Sequence, residues 1–154
     1  MFDLRSYAIN KFDGLGTIFR VLRDAGDLRL EILNEAYTVA KHQLDEKSFK
    51  VSALSFIAGE MYGHDKELAL KLFQQAHDVI SSIPYKNDKA FAMYILATRL
   101  AQNGDYEEAL KITENIPEHF WSIHSLVSIA ETLFETNSGY ATNLIEKHWR
   151  LSLI

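Results

Sequence analysis

Histidines are the first residues to test for chemistry, because imidazole binds metal ions and transfers protons near neutral pH. The chain has six of them. A zinc hydrolase helix would need His-Glu-x-x-His, and a di-iron bundle would need a Glu three residues before a His, but neither pattern occurs. His119 and His124 are five residues apart, which points them to different sides of a helix. We therefore expect surface or packing histidines, with no metal ion and no cofactor.

Other residue types give equally little support for catalysis. Residues 14–17, Gly-Leu-Gly-Thr, contain two glycines of a phosphate-binding loop, but the preceding strand, a third glycine and a lysine are missing. The chain has no cysteine, which removes thiol nucleophiles and thiolate metal sites. We predict that the protein is not an enzyme and has no catalytic residues. An enzyme on a helical scaffold would instead need a deep pocket where His and Glu groups converge.

The composition indicates a single folded domain, residues 1–154. With 47% hydrophobic residues, the chain can bury a sizeable core. Two prolines and seven glycines favour helices over a β fold with many turns. The net charge of −5 and the dispersed Lys and Arg residues argue against nucleic-acid binding. No apolar run reaches membrane-span length and no signal-peptide pattern begins the chain, so we expect a cytoplasmic protein without membrane contact, export without a cleavable signal being the alternative.

Residues 83–117 predict two helices joined by a turn. The apolar residues of the first helix recur at helical spacing and form one stripe, Met93, Leu96, Ala97 and Leu100. Gly104 can take the left-handed conformation that ends a helix, and Asp105 can cap the next one. Pro117 ends the second helix, because proline cannot donate the helical hydrogen bond.

The same stripe occurs three more times in the same register. Its other copies are Leu15/Ile18/Phe19/Leu22, Leu54/Ile57/Ala58/Met61 and Leu126/Ile129/Ala130/Leu133. The steps between stripes are about 39, 39 and 33 residues, within the roughly 33 to 47 residues of two-helix repeats. One stripe would indicate only an amphipathic helix, whereas four in one register predict an array of helix pairs.

We expect four helix pairs and a short N-terminal segment that covers the open end of the first pair. The units are residues 14–43, 47–82, 87–117 and 118–150, and the cap is residues 1–13. Residues 13–16, Asp-Gly-Leu-Gly, are expected to break or kink the chain after the cap. An apolar tail, residues 149–154, either folds back over the last pair or joins another chain.

The turn of the third unit carries a family resemblance. Residues 103–110, Asn-Gly-Asp-Tyr-Glu-Glu-Ala-Leu, resemble the tetratricopeptide repeat, which has here a turn glycine, an acidic residue, an aromatic residue, and an Ala followed by an aliphatic residue. The 93–100 stripe matches that family's packing positions, although Ala97 replaces its usual Gly and Thr113 a usual aromatic residue. The resemblance implies an all-α fold, a right-handed α-solenoid of about four antiparallel helix pairs. A HEAT-like array is the alternative.

In that family, the first helix of each pair lines a concave groove that binds peptides or partner domains. Phe91 and Tyr94 are the best contact candidates, because aromatic residues are enriched in binding hot spots. The alternative for both is packing between units, and for Arg20 and Arg23 it is a solvated position beside acidic residues. Carried over position by position, the groove contains Arg20, Arg23, Ser52, Ser55, Tyr62, Phe91, Tyr94, Thr98, Gln102, His124, Val127, Glu131 and Glu135.

The resemblance implies a non-enzymatic protein–protein interaction module, a scaffold or a small chaperone, whose partner is another protein. Chaperone-tail binders of the family hold a terminal carboxylate with Lys and Asn. Tyr94 and Thr98 stand at such positions here, so that activity is not expected. The alternative function is structural: self-association, such as a homodimer through the apolar termini 2–12 or 149–154, or a part of a longer scaffold.

Overall fold

The computed structural model describes the backbone of residues 4–152 and the side chains of residues 6–147. This part of the chain is all-α, as predicted, and contains no strand. Its eight helices are α1 (Leu4–Asp24), α2 (Leu30–His42), α3 (Lys47–Met61), α4 (Lys66–Ile80), α5 (Lys86–Gln102), α6 (Tyr106–Glu114), α7 (His119–Phe134) and α8 (Ser138–Ser152).

Packing between the helices follows their order in the chain. Each odd-numbered helix packs against the even-numbered helix that follows it, and short loops make such neighbours antiparallel. α5 also packs against α3 on one side and against α7 on the other. The first helices of the last three pairs therefore lie side by side, and one face of α5 stays open between its neighbours.

Local turn chemistry sets the helix ends. Gly104 has a φ of 88°, the left-handed conformation, and the side chain of Asp105 accepts the N–H of Glu108 at 3.4 Å. Both predictions for this turn are confirmed. Asp65 caps α4 in the same way, accepting the N–H of Leu68 at 3.0 Å. These caps satisfy N–H groups that have no partner within the helix.

The apolar stripes form the core. The stripes of α3 and α7 are completely buried, and in α5 only Met93 is partly exposed. The second helices contribute the opposite wall of the core. In α4 the buried face consists of Ala69, Leu72, Phe73, Ala76 and Ile80.

Two buried hydroxyl groups join α6 to α7. Thr113 Oγ1 donates to the backbone oxygen of Ala109 at 2.8 Å, and it lies 2.7 Å from Ser125 Oγ. Because the Thr113 proton is already used, Ser125 is the donor in the second hydrogen bond. Thr113 thus has a polar role at the position where the resemblance leads one to expect an aromatic ring.

The predicted break at residues 13–16 is wrong, because α1 continues through it. Gly16 is buried against Phe56 of α3, and a Cβ at Gly16 would lie 3.1 Å from Phe56 Cε1. Tertiary packing at this contact outweighs the roughly 1 kcal/mol that a glycine costs in a helix.

The buried face of α1 also has a different register from the predicted stripe. Ile18 is 51% exposed, whereas Ala8, Phe12 and Phe19 are buried. Ala8 and Phe12 belong to the predicted cap, which is continuous with the first helix of unit one. The side chains of the predicted apolar tail, 149–154, and those of residues 2–5 lie outside the described residues.

The glycines of α1 make a matched pair for testing the Phe56 contact. Gly14→Ala is expected to raise the free energy of unfolding by about 0.5–1 kcal/mol, because alanine favours the helix and nothing lies within 4 Å of the added Cβ. Gly16→Ala gains the same helix propensity, but its methyl group would press on the Phe56 ring. We therefore expect it to lower the free energy of unfolding by about 1 kcal/mol. Urea denaturation followed by circular dichroism measures both, and equal stabilisation would contradict the Gly16–Phe56 contact.

Candidate functional site

An aromatic cluster joins α5 to α7. It consists of Phe91 and Tyr94 from α5 and Phe120, Trp121 and His124 from α7. Trp121 is at its centre, with ring centroids 4.8 Å from Phe91, 5.2 Å from Tyr94 and 4.9 Å from Phe120. His124 lies 4.4 Å from Phe120 and 6.4 Å from Tyr94. The resemblance-derived residues Phe91, Tyr94 and His124 are therefore together. Phe120 and Trp121 are the members of the cluster that sequence reasoning missed.

Hydrogen bonds fix the position of Trp121. Its indole Nε1 donates to Asn87 Oδ1 in the first turn of α5 at 3.2 Å. Its backbone N–H donates to the side chain of Glu118, the N-cap of α7, at 3.2 Å. The cluster is rigid on this side but open on the other, because Phe120 is 55% exposed and His124 is also exposed.

An arginine cluster lies where α1, α3 and α5 meet. It consists of Arg20, Arg23 and Arg99 around Glu60 and Phe56. Glu60 binds two of the guanidinium groups: its Oε1 lies 3.6 Å from Arg20 Nε, and its Oε2 accepts from Arg23 Nη1. Arg20 and Arg99 also stack on Phe56, with their Cζ atoms 4.6 Å and 5.5 Å from the ring centroid.

Packing beneath Phe56 holds this cluster in place. The Phe56 ring is buried and meets Phe12 edge-on at 6.0 Å. Gly59, in the last turn of α3, lies near Arg99, since a Cβ at this position would be at an ordinary van der Waals distance of 3.9 Å from Arg99 Cδ. The guanidinium of Arg99 covers the Phe56 ring, a geometry that favours cation–π attraction.

Arg99 has no acidic partner among residues 6–147. Its Nη1 donates to Gln102 Oε1 at 3.3 Å, and no carboxylate oxygen of the described residues lies within 4 Å of it. Burial and, secondarily, the positive charge of Arg20 lower the pKa of the Arg99 guanidinium below its usual value. The environment therefore disfavours a charge that arginine nevertheless keeps at neutral pH.

A cleft of about 250 Å³ opens beside Arg99. We call it the Arg99 cleft. Its walls include Asp13, Thr17, Arg20, Ser52, Phe56 and Arg99. It therefore combines two guanidinium groups with an aromatic floor at the surface.

The two clusters occupy neighbouring parts of one surface. Tyr94 contacts α7 and Arg99 contacts α3, on opposite edges of the open face of α5. At 100° per residue, Thr98 and Gln102 lie between these two residues on that face. Thr98 Oγ1 is buried without a hydrogen-bond partner in the described part of the chain. We call this continuous surface the open face.

One predicted groove residue is misplaced, and others lie away from the clusters. Ser55 is fully buried, so its assignment to the groove is wrong; its side chain turns into the core beside the α3 stripe. Ser52 does line the Arg99 cleft. Tyr62 is half-buried at the end of α3, with Lys66 Nζ 5.5 Å from its ring centroid. Val127, Glu131 and Glu135 are exposed along and just after α7.

Further cavities lie elsewhere. One of about 600 Å³ is lined by the starts of α3 and α5 and the preceding loops, including Phe49, Pro84 and Tyr85. A cleft of about 170 Å³ between α4 and α6 is lined by His77 and Glu108 among other residues. No group of three metal-binding side chains occurs within the described residues. Between residues 4 and 152, none of the helices has both the length and the hydrophobicity of a membrane span.

No family model, curated protein or solved structure matches this chain. The two clusters and the surface they share are therefore the features that indicate function.

The role of Glu60 gives a test of the arginine cluster. Glu60→Gln is expected to lower the free energy of unfolding by about 1–2 kcal/mol, because it removes the carboxylate shared by Arg20 and Arg23; their partial exposure keeps the loss below that of a fully buried pair. The loss should shrink at high salt, which screens the remaining repulsion. Urea denaturation at 0.02 M and about 1 M salt measures it.

Glu67→Gln is the matched control for this variant. Glu67 is exposed and pairs with Lys71 one turn away at 3.1 Å, so its loss should change the free energy of unfolding by less than about 0.5 kcal/mol. Equal effects of the two substitutions would contradict a structural role for Glu60.

Proposed function

We propose that this protein is a non-enzymatic interaction module that binds a segment of a partner protein on its open face. The observation that carries the proposal is the joining of partly exposed aromatic rings to an arginine cluster on one surface. Trp, Tyr and Arg are the side chains most enriched in binding hot spots. All three types occur on the open face, as Trp121, Tyr94 and Arg99.

We further propose that the helix pairs form a right-handed α-solenoid of the tetratricopeptide type. The pairwise packing of successive helices and the side-by-side arrangement of α3, α5 and α7 support this architecture. In such an array, the first helices present a rigid surface before any partner binds. Rigidity reduces the entropy lost on binding and so favours affinity. A cytoplasmic scaffold or small chaperone fits this reading.

The aromatic cluster is suited to contact with a partner protein, because its rings are held in place and partly exposed. Trp121 is held by Asn87 and by the α7 N-cap, so that its ring does not need to be ordered by a ligand. Phe120 and His124 leave the adjacent surface apolar and exposed. A partner side chain that covers these rings would displace water from apolar surface that is already immobilised.

Self-association is the second candidate function. The observation that favours it is that six large apolar side chains of the last helix pair are exposed. A second copy would cover them, and sedimentation equilibrium over a range of protein concentrations would detect the dimer. These side chains are Phe120, Ile123, Val127, Phe134, Tyr140 and Ile145.

Selection from a phage-displayed library of random 16-residue peptides tests the leading proposal. Peptides that bind the wild-type protein are expected to lose at least about tenfold in affinity on Tyr94→Ala, the cost of one aromatic hot-spot side chain. Fluorescence anisotropy measures the affinity, and a thermal melt verifies folding of each variant.

Tyr85→Ala is the matched control, because Tyr85 is 71% exposed and lies beside the 600 Å³ cavity instead. It should leave the affinity unchanged. Enrichment of no peptide would contradict the interaction module. A loss with Tyr85→Ala in place of Tyr94→Ala would contradict the open face as its site.

A further inference from the structure

We propose that the partner segment is acidic, and that an Asp or Glu side chain of it binds in the Arg99 cleft beside its aromatic or apolar anchor. This inference rests on the proposed function and specifies its ligand. It is carried by the charge left over in the arginine cluster, by the fixed position of Arg99, and by the distance between the two clusters.

The charges of the cluster do not balance within the described residues. Glu60 is shared between Arg20 and Arg23, and Arg23 also contacts Asp24 at 3.2 Å. Arg99 has only the amide oxygen of Gln102. Asp13 lines the same cleft but lies more than 4 Å from every guanidinium nitrogen there. The Arg99 guanidinium therefore lacks a counter-charge among the described residues and can bind one that a ligand supplies.

Arg99 is already arranged for such a ligand. Its guanidinium stacks on Phe56 and donates to Gln102 Oε1, so part of its side-chain freedom is already lost. A partly buried guanidinium without a carboxylate is costly, and a carboxylate supplied by a partner relieves that cost with two parallel hydrogen bonds. Arg20, on the same ring, adds a second positive charge to the cleft.

The charge of the cleft favours a single carboxylate. One guanidinium is unpaired, so one negative charge completes the site. A phosphate would bring nearly two charges toward Glu60 and Asp13 as well as toward the arginines. A nucleic acid would bring many phosphates to a protein whose net charge is −5.

The distance between the clusters sets the spacing of the partner motif. Tyr94 and Arg99 are five residues apart on α5, about 8 Å along its axis, and they lie at opposite edges of a helix about 9 Å wide. The combined distance of about 12 Å corresponds to three or four residues of extended chain. The expected motif is an aromatic residue followed or preceded at that spacing by Asp or Glu.

Synthetic peptide arrays test the inference directly. Each array has 12-residue peptides with a fixed Trp and random neutral positions, and the residues three and four places to either side of the Trp are Glu, Gln, Lys or phosphoserine. Fluorescently labelled wild-type protein is expected to bind the Glu array about tenfold more strongly than the Gln array at low salt, the contribution of one charge-assisted bidentate contact. The preference should fall at about 0.5 M salt.

Two arginine variants distinguish binding in the Arg99 cleft from nonspecific attraction to positive charge on the protein. Arg99→Gln should abolish the preference for Glu over Gln, and Arg29→Gln, which removes the same charge from an exposed site beside Asp27, should retain it. If Arg99→Gln does not fold, Arg20→Gln takes its place, and the salt dependence of the wild type is an independent readout.

The outcomes separate failure of the acidic ligand from failure of the interaction module. Equal binding to the Glu and Gln arrays that still depends on Tyr94 would overturn the acidic ligand but support the interaction module. Stronger binding to phosphoserine than to Glu would overturn the single carboxylate. No binding to any array would contradict both proposals, and retention of the Glu preference by Arg99→Gln would overturn the cleft as its site.

Discussion

The packing of α5 between α3 and α7 is the constraint on which the rest of the structure depends. Four of its alanines, Ala90, Ala92, Ala97 and Ala101, are fully buried, and small side chains allow neighbouring helices to approach closely. Large side chains of α5 outside the core have only the open face left to them. The aromatic and arginine clusters are therefore the two edges of one surface, each completed by the neighbouring helix.

Glu60 and Arg99 have different electrostatic roles on that surface. Glu60 is only 10% exposed and neutralises part of the charge that Arg20 and Arg23 bring to the cluster. Arg99 stacks on Phe56 without a carboxylate of its own in the described chain. The Glu60 carboxylate thus stabilises the arginine cluster, whereas the neighbouring Arg99 guanidinium can bind an anion. Stability and recognition then depend on different members of the same cluster.

Much of the fold could be predicted because its signals are local. The stripe of α3, the left-handed Gly104 and the Asp105 cap each depend on residues within one or two helical turns, and all are confirmed. The continuity of α1 could not be predicted, because it depends on Gly16 meeting Phe56 from another helix. The pairing of Trp121 with α5 and the stacking of Arg99 and Arg20 likewise join distant segments, so no spacing along the chain reveals them. The resemblance assigned Ser55 to the groove wrongly, because the burial of this side chain depends on the helices that pack around α3.

An NMR titration of the ¹⁵N-labelled protein with a peptide of the Glu array would show directly whether the open face binds the partner segment. We expect the Trp121 Nε1–H and Arg99 Nε–H signals to shift together with backbone amides on the open face of α5 and the adjoining turns of α3 and α7. Amides of α2, α4 and α6 should remain unchanged. Shifts centred on those second helices, or on the 600 Å³ cavity beside Tyr85, would contradict the claim that the open face is the binding surface.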